Sequence, residues 1–374
     1  MTKLWCKVPF VGLYVCPSGD VVLCCMSQQH SLGHINDIDD LEKFYNSKVL
    51  DYYRNSLNDG KILDLYPCKK CVLQEQLGNQ TFKTTIEEHY KFKYEYEDAK
   101  GREFELSSPI RYLEYTLGNL CNADCATCSS FYSHKWQKLD KLFGREVYPM
   151  QKLDDSAVSK IENVLYGLEY LEIKGGEPFA DIRNIRILNK LLEVNSKCNV
   201  NIVSNMHTIT PEAMGILKRL PNLNIYASVD GVGKVYDWIR GGVFNKTIET
   251  IERYHYETGR KVQISVTISL YNYFHLEQIY NYFKDKEYIS EIVFHNWVIE
   301  PKYSCCDLLP EDIFDKRMSE LEKSDLHFNS KKRITLDEKY NKELFFVEME
   351  KMNEHRGFDL RDYVPELKQW FYKY

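Results

Sequence analysis

The chain of 374 residues has no apolar run that approaches the ~20 residues needed to span a bilayer. The segment from Val8 to Val15 follows Lys3 and Lys7 and mimics a short signal peptide, but no small-residue cleavage site comes after it. We therefore expect a cytoplasmic protein without a membrane partner. In that compartment, cysteines serve metal binding better than disulfide formation.

An excess of positive charge is also missing. Lysine and arginine together number 49 against 55 acidic residues, which gives a formal net charge of −6. This balance supplies no broad basic field, so nucleic acid is not an expected partner. Hydrophobic residues make up 44% of the chain and charged residues 28%, as in an ordinary globular protein. The length accommodates a barrel-sized domain of ~200 residues or more together with a smaller one.

Twelve cysteines are present, and three of them, Cys121, Cys125 and Cys128, fall within eight residues. No fourth cysteine lies in this loop, whereas a structural zinc site normally takes four protein ligands and the common cubane ferredoxin run has four cysteines. The trio therefore predicts an iron–sulfur cubane with one iron open to a ligand that is not protein. The alternative is three unconnected core cysteines, which seldom cluster on one turn.

The position of this loop supports a catalytic interpretation. Residues 110–117 alternate apolar and polar side chains as a strand does, and Gly118 and Asn119 break the pattern directly before Cys121. Barrel enzymes place their chemistry in loops at the carboxyl ends of their strands.

From Pro109 to Pro301 the sequence resembles the radical S-adenosylmethionine (SAM) superfamily. After the cysteine loop, a strand over 170–174 leads into Gly175-Gly176-Glu177-Pro178, which matches the Gly-Gly-Glu-Pro element of that family. The resemblance implies that Cys121, Cys125 and Cys128 bind three irons of a 4Fe–4S cluster and that SAM chelates the fourth. It further implies a set of SAM-binding residues: Gly175, Gly176, Glu177, Ser204, Asn205, Ser228, Asp230 and Arg240.

Two details depart from known patterns. The residue before the third cysteine of this family is usually aromatic and covers the adenine, but here it is Thr127. The segment Gly231-Val232-Gly233 resembles the start of a dinucleotide loop, but it lacks the third glycine of that motif.

Six strand–helix units follow one another between residues 111 and 301. Strands are predicted near 111–117, 169–173, 199–203, 223–229, 262–269 and 290–295, and helices over 156–166, 182–194, 211–220, 244–257 and 275–284. This alternation predicts an α/β fold with parallel strands. Periodicity alone also allows a doubly wound sheet, whereas the family resemblance implies an incomplete (β/α)6 TIM-like barrel of the radical SAM type.

The first hundred residues predict a small α+β metal-binding domain ahead of the barrel. A C-x12-G-x4-C pattern, a Leu-Gly-x-Ile element and a later C-x2-C resemble half of a SPASM or twitch module, which holds auxiliary iron–sulfur clusters. That module usually follows the barrel and continues to further cysteines, but no cysteine lies between Cys71 and Cys121. The predicted ligands of one auxiliary cluster are Cys6, Cys24, Cys68 and Cys71.

Alternatives remain open for this quartet. A four-cysteine zinc site fits the C-x2-C spacing equally well. Cys25 is a rival to its neighbour Cys24, although adjacent side chains on a strand point in opposite directions. Cys16 is expected to be a buried small hydrophobe before the turn at Pro17–Asp20. Cys305 and Cys306 are candidates for a substrate or fourth-ligand role, and Cys198 has no assigned role.

The predicted domains are the auxiliary cluster domain over 1–85, a charged linker or hairpin over 86–108, the radical SAM barrel over 109–301 and a helical extension over 302–374. The resemblance implies an enzyme that reductively cleaves SAM to a 5′-deoxyadenosyl radical and abstracts hydrogen from a substrate. It also implies a flavodoxin- or ferredoxin-type electron donor.

We expect a peptide or protein substrate, modified by oxidation, crosslinking or epimerisation, because SPASM-like modules resemble those of peptide maturases. One alternative is oxidation or epimerisation of a sugar, nucleoside or other small molecule. Another is a non-catalytic iron–sulfur electron carrier or binding protein.

Overall fold

The computed structural model describes residues 5–76, 78–92, 109–298, 301–326 and 338–372. The chain divides into two compact units. The first comprises Met1–Leu120, Met150–Ile202 and Pro211–Asn224, and the second comprises Cys121–Pro149, Val203–Thr210 and Ile225–Tyr374.

The strands, numbered along the chain, are β1 Gly12–Val15, β2 Asp20–Val22, β3 Gly33–His34, β4 Tyr112–Tyr115, β5 Tyr170–Ile173, β6 Asn199–Ser204, β7 Leu223–Ser228, β8 Val262–Ile268 and β9 Ile289–Trp297. The helices are α1 Val8–Val11, α2 Leu41–Tyr45, α3 Lys48–Asn58, α4 Tyr66–Gln76, α5 Phe82–His89, α6 Gln137–Phe143, α7 Asp155–Asn163, α8 Ile182–Val194, α9 Pro211–Leu217, α10 Lys234–Arg240, α11 Phe244–Thr258, α12 Leu276–Phe283, α13 Glu311–Glu322, α14 Glu338–Arg356 and α15 Pro365–Tyr372.

In the first unit, β1, β4, β5 and β6 run parallel to one another, while β2 and β3 continue the sheet beyond β1 as antiparallel strands. In the second unit, β7, β8 and β9 are parallel, with irregular register between β8 and β9. Strands β6 and β7 each contribute residues to both units. Helices connect the successive parallel strands from β4 to β9. The predicted α/β class, with mostly parallel strands and a small N-terminal module, is confirmed.

The sequence did not predict that β1 pairs in parallel with β4. Tyr14 lies opposite Glu114 in this register, and all four residues of β1 are buried. Gly12 permits the close approach, because a Cβ there would stand 1.9 Å from the carbonyl oxygen of Tyr112. The predicted turn at Pro17–Asp20 does join two strands, β1 and β2.

The N-terminal module has its own core in the first unit. Its buried side chains come from α1, α3, α4 and α5 and pack around Tyr112 of β4; they include Phe10, Val11, Leu57, Val72 and Ile86. The sequence pattern also predicts one helix over 41–57, and this prediction is wrong, because α2 ends at Tyr45 and α3 begins at Lys48. Asn46 donates its side-chain amide to the Glu42 carbonyl and interrupts the helical pattern.

The predicted linker over 86–108 is only partly described. Residues up to His89 continue helix α5, and residues 93–108 lie outside the described ranges. In the described part of the chain, no helix combines the length and apolar character needed to cross a membrane.

Candidate cofactor sites

The cysteine loop follows β4 and folds into a tight turn in the second unit. The Cys128 amide donates to the Cys125 carbonyl at 2.9 Å. Burial raises the pKa of the Cys128 thiol, and the nearby Cys125 and Cys121 raise it further. The three thiols thus share one small region, as their spacing predicts.

The backbone of this loop is fixed by hydrogen bonds from neighbouring side chains and main-chain amides. Trp136 donates its indole N–H to the Cys125 carbonyl at 2.9 Å, and Ser133 donates to the Ala123 carbonyl at 2.6 Å. The Ala126 amide donates to the Ile239 carbonyl at 2.6 Å. A loop that is held through its main chain keeps its thiols in place before any metal binds.

Asp124, between the first two cysteines, contacts helix α14. Arg356 donates from Nη1 to the Asp124 carboxylate at 2.9 Å and from Nη2 to its carbonyl at 2.7 Å, and His355 Nε2 lies 2.8 Å from the same carboxylate. The sequence did not suggest this contact, because 232 residues separate Arg356 from Asp124 and no motif marks either residue.

The structure places Ser204 and Asn205 beside the cysteine loop. The Asn205 side chain donates to that of Asn122 at 2.6 Å and accepts from the His207 amide at 2.9 Å. The Ser204 hydroxyl accepts from the Met206 amide at 2.9 Å. Met206 has a φ of 55° and is the one non-glycine residue with positive φ in the described ranges. Such strained positions concentrate at functional sites.

Arg240 lies against both Cys125 and Asp230. Its Nη1 donates to the Asp230 carboxylate at 3.0 Å, and its carbonyl accepts from the Cys125 thiol at 3.5 Å. Burial lowers the pKa of Arg240, but Cys125 and Asp230 outweigh this effect and raise it, so the guanidinium stays charged. Ser228 ends β7, two residues before Asp230.

The Nε of Arg240 is buried, and none of the residues that the structure describes accepts a hydrogen bond from it. Unsatisfied buried donors are rare in native structures. This donor suits an anionic group, such as the carboxylate of SAM, next to the cysteine loop.

The Gly175-Gly176-Glu177 segment belongs to the first unit. Both glycines have positive φ, 72° and 55°, and a Cβ on Gly176 would stand 2.4 Å from the Leu120 carbonyl oxygen. The Glu177 amide donates to that same carbonyl at 2.8 Å, and its buried carboxylate accepts from the Phe179 amide at 3.1 Å. The glycines therefore allow this turn to contact the residue that precedes Cys121.

The four predicted N-terminal ligands also come together, within the first unit. Helix α4 carries Cys68 and Cys71 one turn apart. Burial raises the pKa of the Cys24 thiol, and Cys6, Cys71 and Cys68 each raise it further. Cys24 and Cys68 pack against the buried cluster that contains Cys6.

Cys25 belongs to different surroundings from Cys24. It packs against the small cluster of Tyr14, Cys16 and Val22. Cys16 is buried there, as predicted, and burial raises the pKa of its thiol to about 12. This arrangement supports Cys24 as the ligand.

The donor set suits an iron–sulfur cluster. A four-iron cubane takes each thiolate on a different iron, and four cysteine thiols come together here. Backbone amides of Val8, Met26 and Lys83 hydrogen-bond to the sulfurs of Cys6, Cys24 and Cys71, respectively. Hydrogen bonds of this kind influence the potential of such clusters.

The remaining cysteines are buried. Cys305 donates its thiol to the Pro301 carbonyl at 3.8 Å, and Cys198 donates to the Asn199 carbonyl at 3.5 Å. Cys306 is 1% exposed.

Two family models match parts of this chain. Residues 115–284 match the sequence model of the radical SAM superfamily, and residues 6–88 match that of SPASM, an iron–sulfur cluster-binding domain. The sporulation killing factor maturation protein SkfB of Bacillus subtilis is 27% identical over 159 residues, which cover 41% of this chain and 34% of SkfB. The match thus spans about a third of that relative's length.

Similar solved structures include Streptococcus suis SuiB bound to the precursor peptide SuiA. It has a TM-score of 0.42 and 14% identity, with 75% of this chain and 61% of SuiB covered. Another is anSMEcpe with bound AdoMet, with a TM-score of 0.40, 18% identity and coverage of 51% and 53%, respectively.

Residues 115–284 are a radical SAM domain, and residues 6–88 are a SPASM domain that precedes it in the chain. The cofactors of the chain are accordingly a 4Fe–4S cluster, SAM and the auxiliary iron–sulfur chemistry of SPASM domains. The SPASM match favours iron–sulfur over the zinc alternative.

Proposed function

We propose that the chain is a radical SAM enzyme that modifies a peptide or protein by oxidation, crosslinking or epimerisation. The observation that carries this proposal is the fixed loop of Cys121, Cys125 and Cys128, which supplies three thiolates, with the unsatisfied donor of Arg240 beside it. A three-thiolate set leaves one cluster position for SAM.

Each residue has a defined task in this proposal. The three thiolates hold the cluster, and Arg240, kept in place by Asp230, binds the carboxylate of SAM. Gly175 and Gly176 let the backbone approach the methionyl end of SAM. Ser204, Asn205 and Ser228 line the remainder of the SAM site. Cys6, Cys24, Cys68 and Cys71 hold the auxiliary cluster. When bound, the cluster and SAM supply a 5′-deoxyadenosyl radical that abstracts hydrogen from the substrate.

A peptide substrate is supported by two relatives and by the SPASM domain. SkfB is named as a maturation protein, and SuiB has been crystallised with a precursor peptide. The electron donor in this proposal is a flavodoxin- or ferredoxin-type protein.

The test is an anaerobic reaction of reconstituted protein with SAM, a reductant and the short peptides encoded beside its gene. We expect a peptide to lose two hydrogens in mass, or to gain one deuterium in D2O if the reaction is epimerisation, together with 5′-deoxyadenosine. Peptides that remain unchanged, alongside an altered sugar or nucleoside, would contradict the peptide assignment.

A further inference from the structure

Asp230, the partner of Arg240, is itself fixed by hydrogen bonds from the end of β8 and the turn that follows it. The Thr267 amide donates to Oδ1 of Asp230 at 2.7 Å, while Oδ2 accepts from Arg240. The side-chain amide of Asn272 donates to the Asp230 carbonyl at 2.9 Å. Asp230 is 1% exposed and Asn272 is fully buried, so water does not compete for these bonds. Both the main chain and the carboxylate of Asp230 therefore have a set position.

Asn272 uses its whole hydrogen-bonding capacity. Besides the Asp230 carbonyl, its amide group donates to the Thr267 carbonyl at 3.0 Å. Its side-chain oxygen accepts from the Ser269 amide at 2.8 Å and from the Ser269 hydroxyl at 3.4 Å. A side-chain amide has two N–H donors and one oxygen with two lone pairs, and all of them are occupied here. This side chain thus joins the turn after β8 to the residue that follows β7.

The same network leads to the guanidinium of Arg240, within the second unit. The bond from Nη1 to Asp230 orients the planar guanidinium, whose buried Nε has no acceptor among the residues that the structure describes. The direction of this Nε–H therefore depends on Asp230, and the position of Asp230 depends on Asn272. Asn272 lies 42 residues from Asp230 in sequence, and no motif marks it.

We propose that Asn272 is a positioning residue for SAM recognition, which fixes Asp230 and thereby orients the Nε of Arg240 toward the carboxylate of SAM. This inference rests on the proposed function, because it takes SAM to be the ligand beside the cysteine loop. A binding group keeps its geometry only when the residues behind it are locked by packing and hydrogen bonds. Asn272 should therefore affect selectivity for the carboxylate, and not stability alone.

The test compares the affinities of the reconstituted full-length protein for SAM and for decarboxylated SAM, measured by anaerobic calorimetry. Decarboxylated SAM retains the amine and the sulfonium but lacks the carboxylate. We expect the wild type to bind SAM at least roughly tenfold more tightly, as a hydrogen bond between charged groups requires. Asn272→Ala should lower this preference at least about threefold, within the range for side chains that share one network. A general loss of stability would weaken the binding of both ligands alike.

A second substitution shows whether Asn272 acts through Arg240. In the Arg240→Gln protein, the addition of Asn272→Ala should lower the preference no further, because the donor that it orients is already absent. This background also separates the contribution of Arg240 from any contribution of the cluster to binding the carboxylate. Asn195→Ala is the matched control, because the Asn195 side chain likewise donates to two main-chain carbonyls, those of Leu165 and Leu168. It should keep the wild-type preference.

Circular dichroism shows which variants remain folded. Asn272→Ser replaces the alanine variant if that protein does not fold, and failure of both to fold would make the role of Asn272 purely structural and overturn the inference. An unchanged preference in a folded Asn272 variant also overturns it, as does an equally large loss in the Arg240→Gln background or a wild type that binds the two ligands equally.

Cleavage of SAM is measured separately, so that the two proposals fail in different ways. A wild type that forms 5′-deoxyadenosine, together with an unchanged preference in a folded Asn272 variant, refutes the positioning role alone. A wild type that forms no 5′-deoxyadenosine, together with the expected losses of preference, refutes the enzyme proposal alone.

Discussion

At the scale of single residues, Arg240 is the side chain whose removal should weaken SAM binding most directly. Its buried Nε has no hydrogen-bond partner in the described part of the chain, and its Nη1 donates to Asp230. Arg240→Gln should weaken SAM binding roughly tenfold to a hundredfold, because a hydrogen bond to a charged group is worth ~1.5–3 kcal/mol. Glu177→Gln, which retains an acceptor for the Phe179 amide, should change the affinity in the same direction.

Both affinities can be measured by anaerobic calorimetry on variants with full iron content. Arg186→Gln is the control, because Arg186 pairs with Glu162 on the surface. Unchanged SAM affinity in both site variants would place the methionyl end of SAM elsewhere.

His275 provides a prediction about pH. Burial lowers the pKa of His275 from 6.5 to about 4, and its neutral ring accepts from the Val232 amide at 3.4 Å. The unfolded chain binds a proton near pH 6.5 and the folded chain only near pH 4, so this group makes stability fall as the pH drops through that window. The loss is roughly 3 kcal/mol at most.

His275→Gln should therefore flatten the dependence of the free energy of unfolding on pH between about 6.5 and 4, measured by urea titration. The matched control is His89→Gln, because the His89 ring is exposed. Parallel pH curves for wild type and His275→Gln would show that His275 titrates alike in both states.

The choice between two adjacent cysteines shows how far single residues can be predicted. The motif spacing predicts Cys24 as a ligand, and the opposite orientation of neighbours on a strand indicates that Cys24 and Cys25 do not both bind one metal. In the structure, Cys24 lies with Cys6, while Cys25 packs with Tyr14. The pairing of Glu114 with Glu172 could not be predicted in the same way, because it requires the register of two strands that lie 58 residues apart in sequence.

At the scale of elements, the turn at Gly175-Gly176 depends on the absence of side chains. Gly176→Ala would combine a left-handed backbone with a collision 2.4 Å from the Leu120 carbonyl oxygen. Gly60→Ala is a matched control, because Gly60 has a φ of 74° but open space around it. The control should lose only about 1–2 kcal/mol of unfolding free energy.

Gly176→Ala should lose more stability than this control and should also bind SAM more weakly. Urea unfolding and SAM calorimetry together check both effects. Equal losses in the two variants, with normal SAM affinity, would contradict the role assigned to this turn.

Helix α14 contributes a second element-scale prediction. Arg356 bonds both the side chain and the carbonyl of Asp124, inside the cysteine loop. Arg356→Gln should therefore accelerate loss of the cluster on exposure to air, which can be followed by the decay of iron absorbance. His355→Gln is a milder control, because His355 is more exposed and bonds only the carboxylate of Asp124. Identical decay in both variants would assign α14 no part in holding the loop.

At the scale of the whole molecule, the sequence predicted the order of the parallel strands and their helices well. Periodicity and glycine breaks located each of β4 to β9. The sequence predicts the N-terminal module as a separate domain. In the structure, β1 of this module is hydrogen-bonded directly to β4. Pairing between β1 and β4 requires the close approach of the two strands at Gly12. No local sequence pattern predicts this approach.

Iron content tests the two-site account. Reconstituted wild type should contain about eight irons per chain, from two four-iron cubanes. Replacement of Cys121, Cys125 and Cys128 by alanine should remove about half, and so should replacement of Cys68 and Cys71. If zinc is found in place of the four irons of the auxiliary cluster, the N-terminal module would still be a metal-binding fold, but it would have no redox role.

Reductive cleavage of SAM tests the central claim most directly. With dithionite as reductant, reconstituted wild type and a Cys198→Ala control should both form 5′-deoxyadenosine, since Cys198 is buried and its thiol bonds the Asn199 carbonyl. The variant that lacks Cys121, Cys125 and Cys128 should form none, because the cluster that binds SAM has lost its ligands. Formation of 5′-deoxyadenosine by this variant at the wild-type rate would contradict the assignment of these three cysteines to a radical SAM cluster.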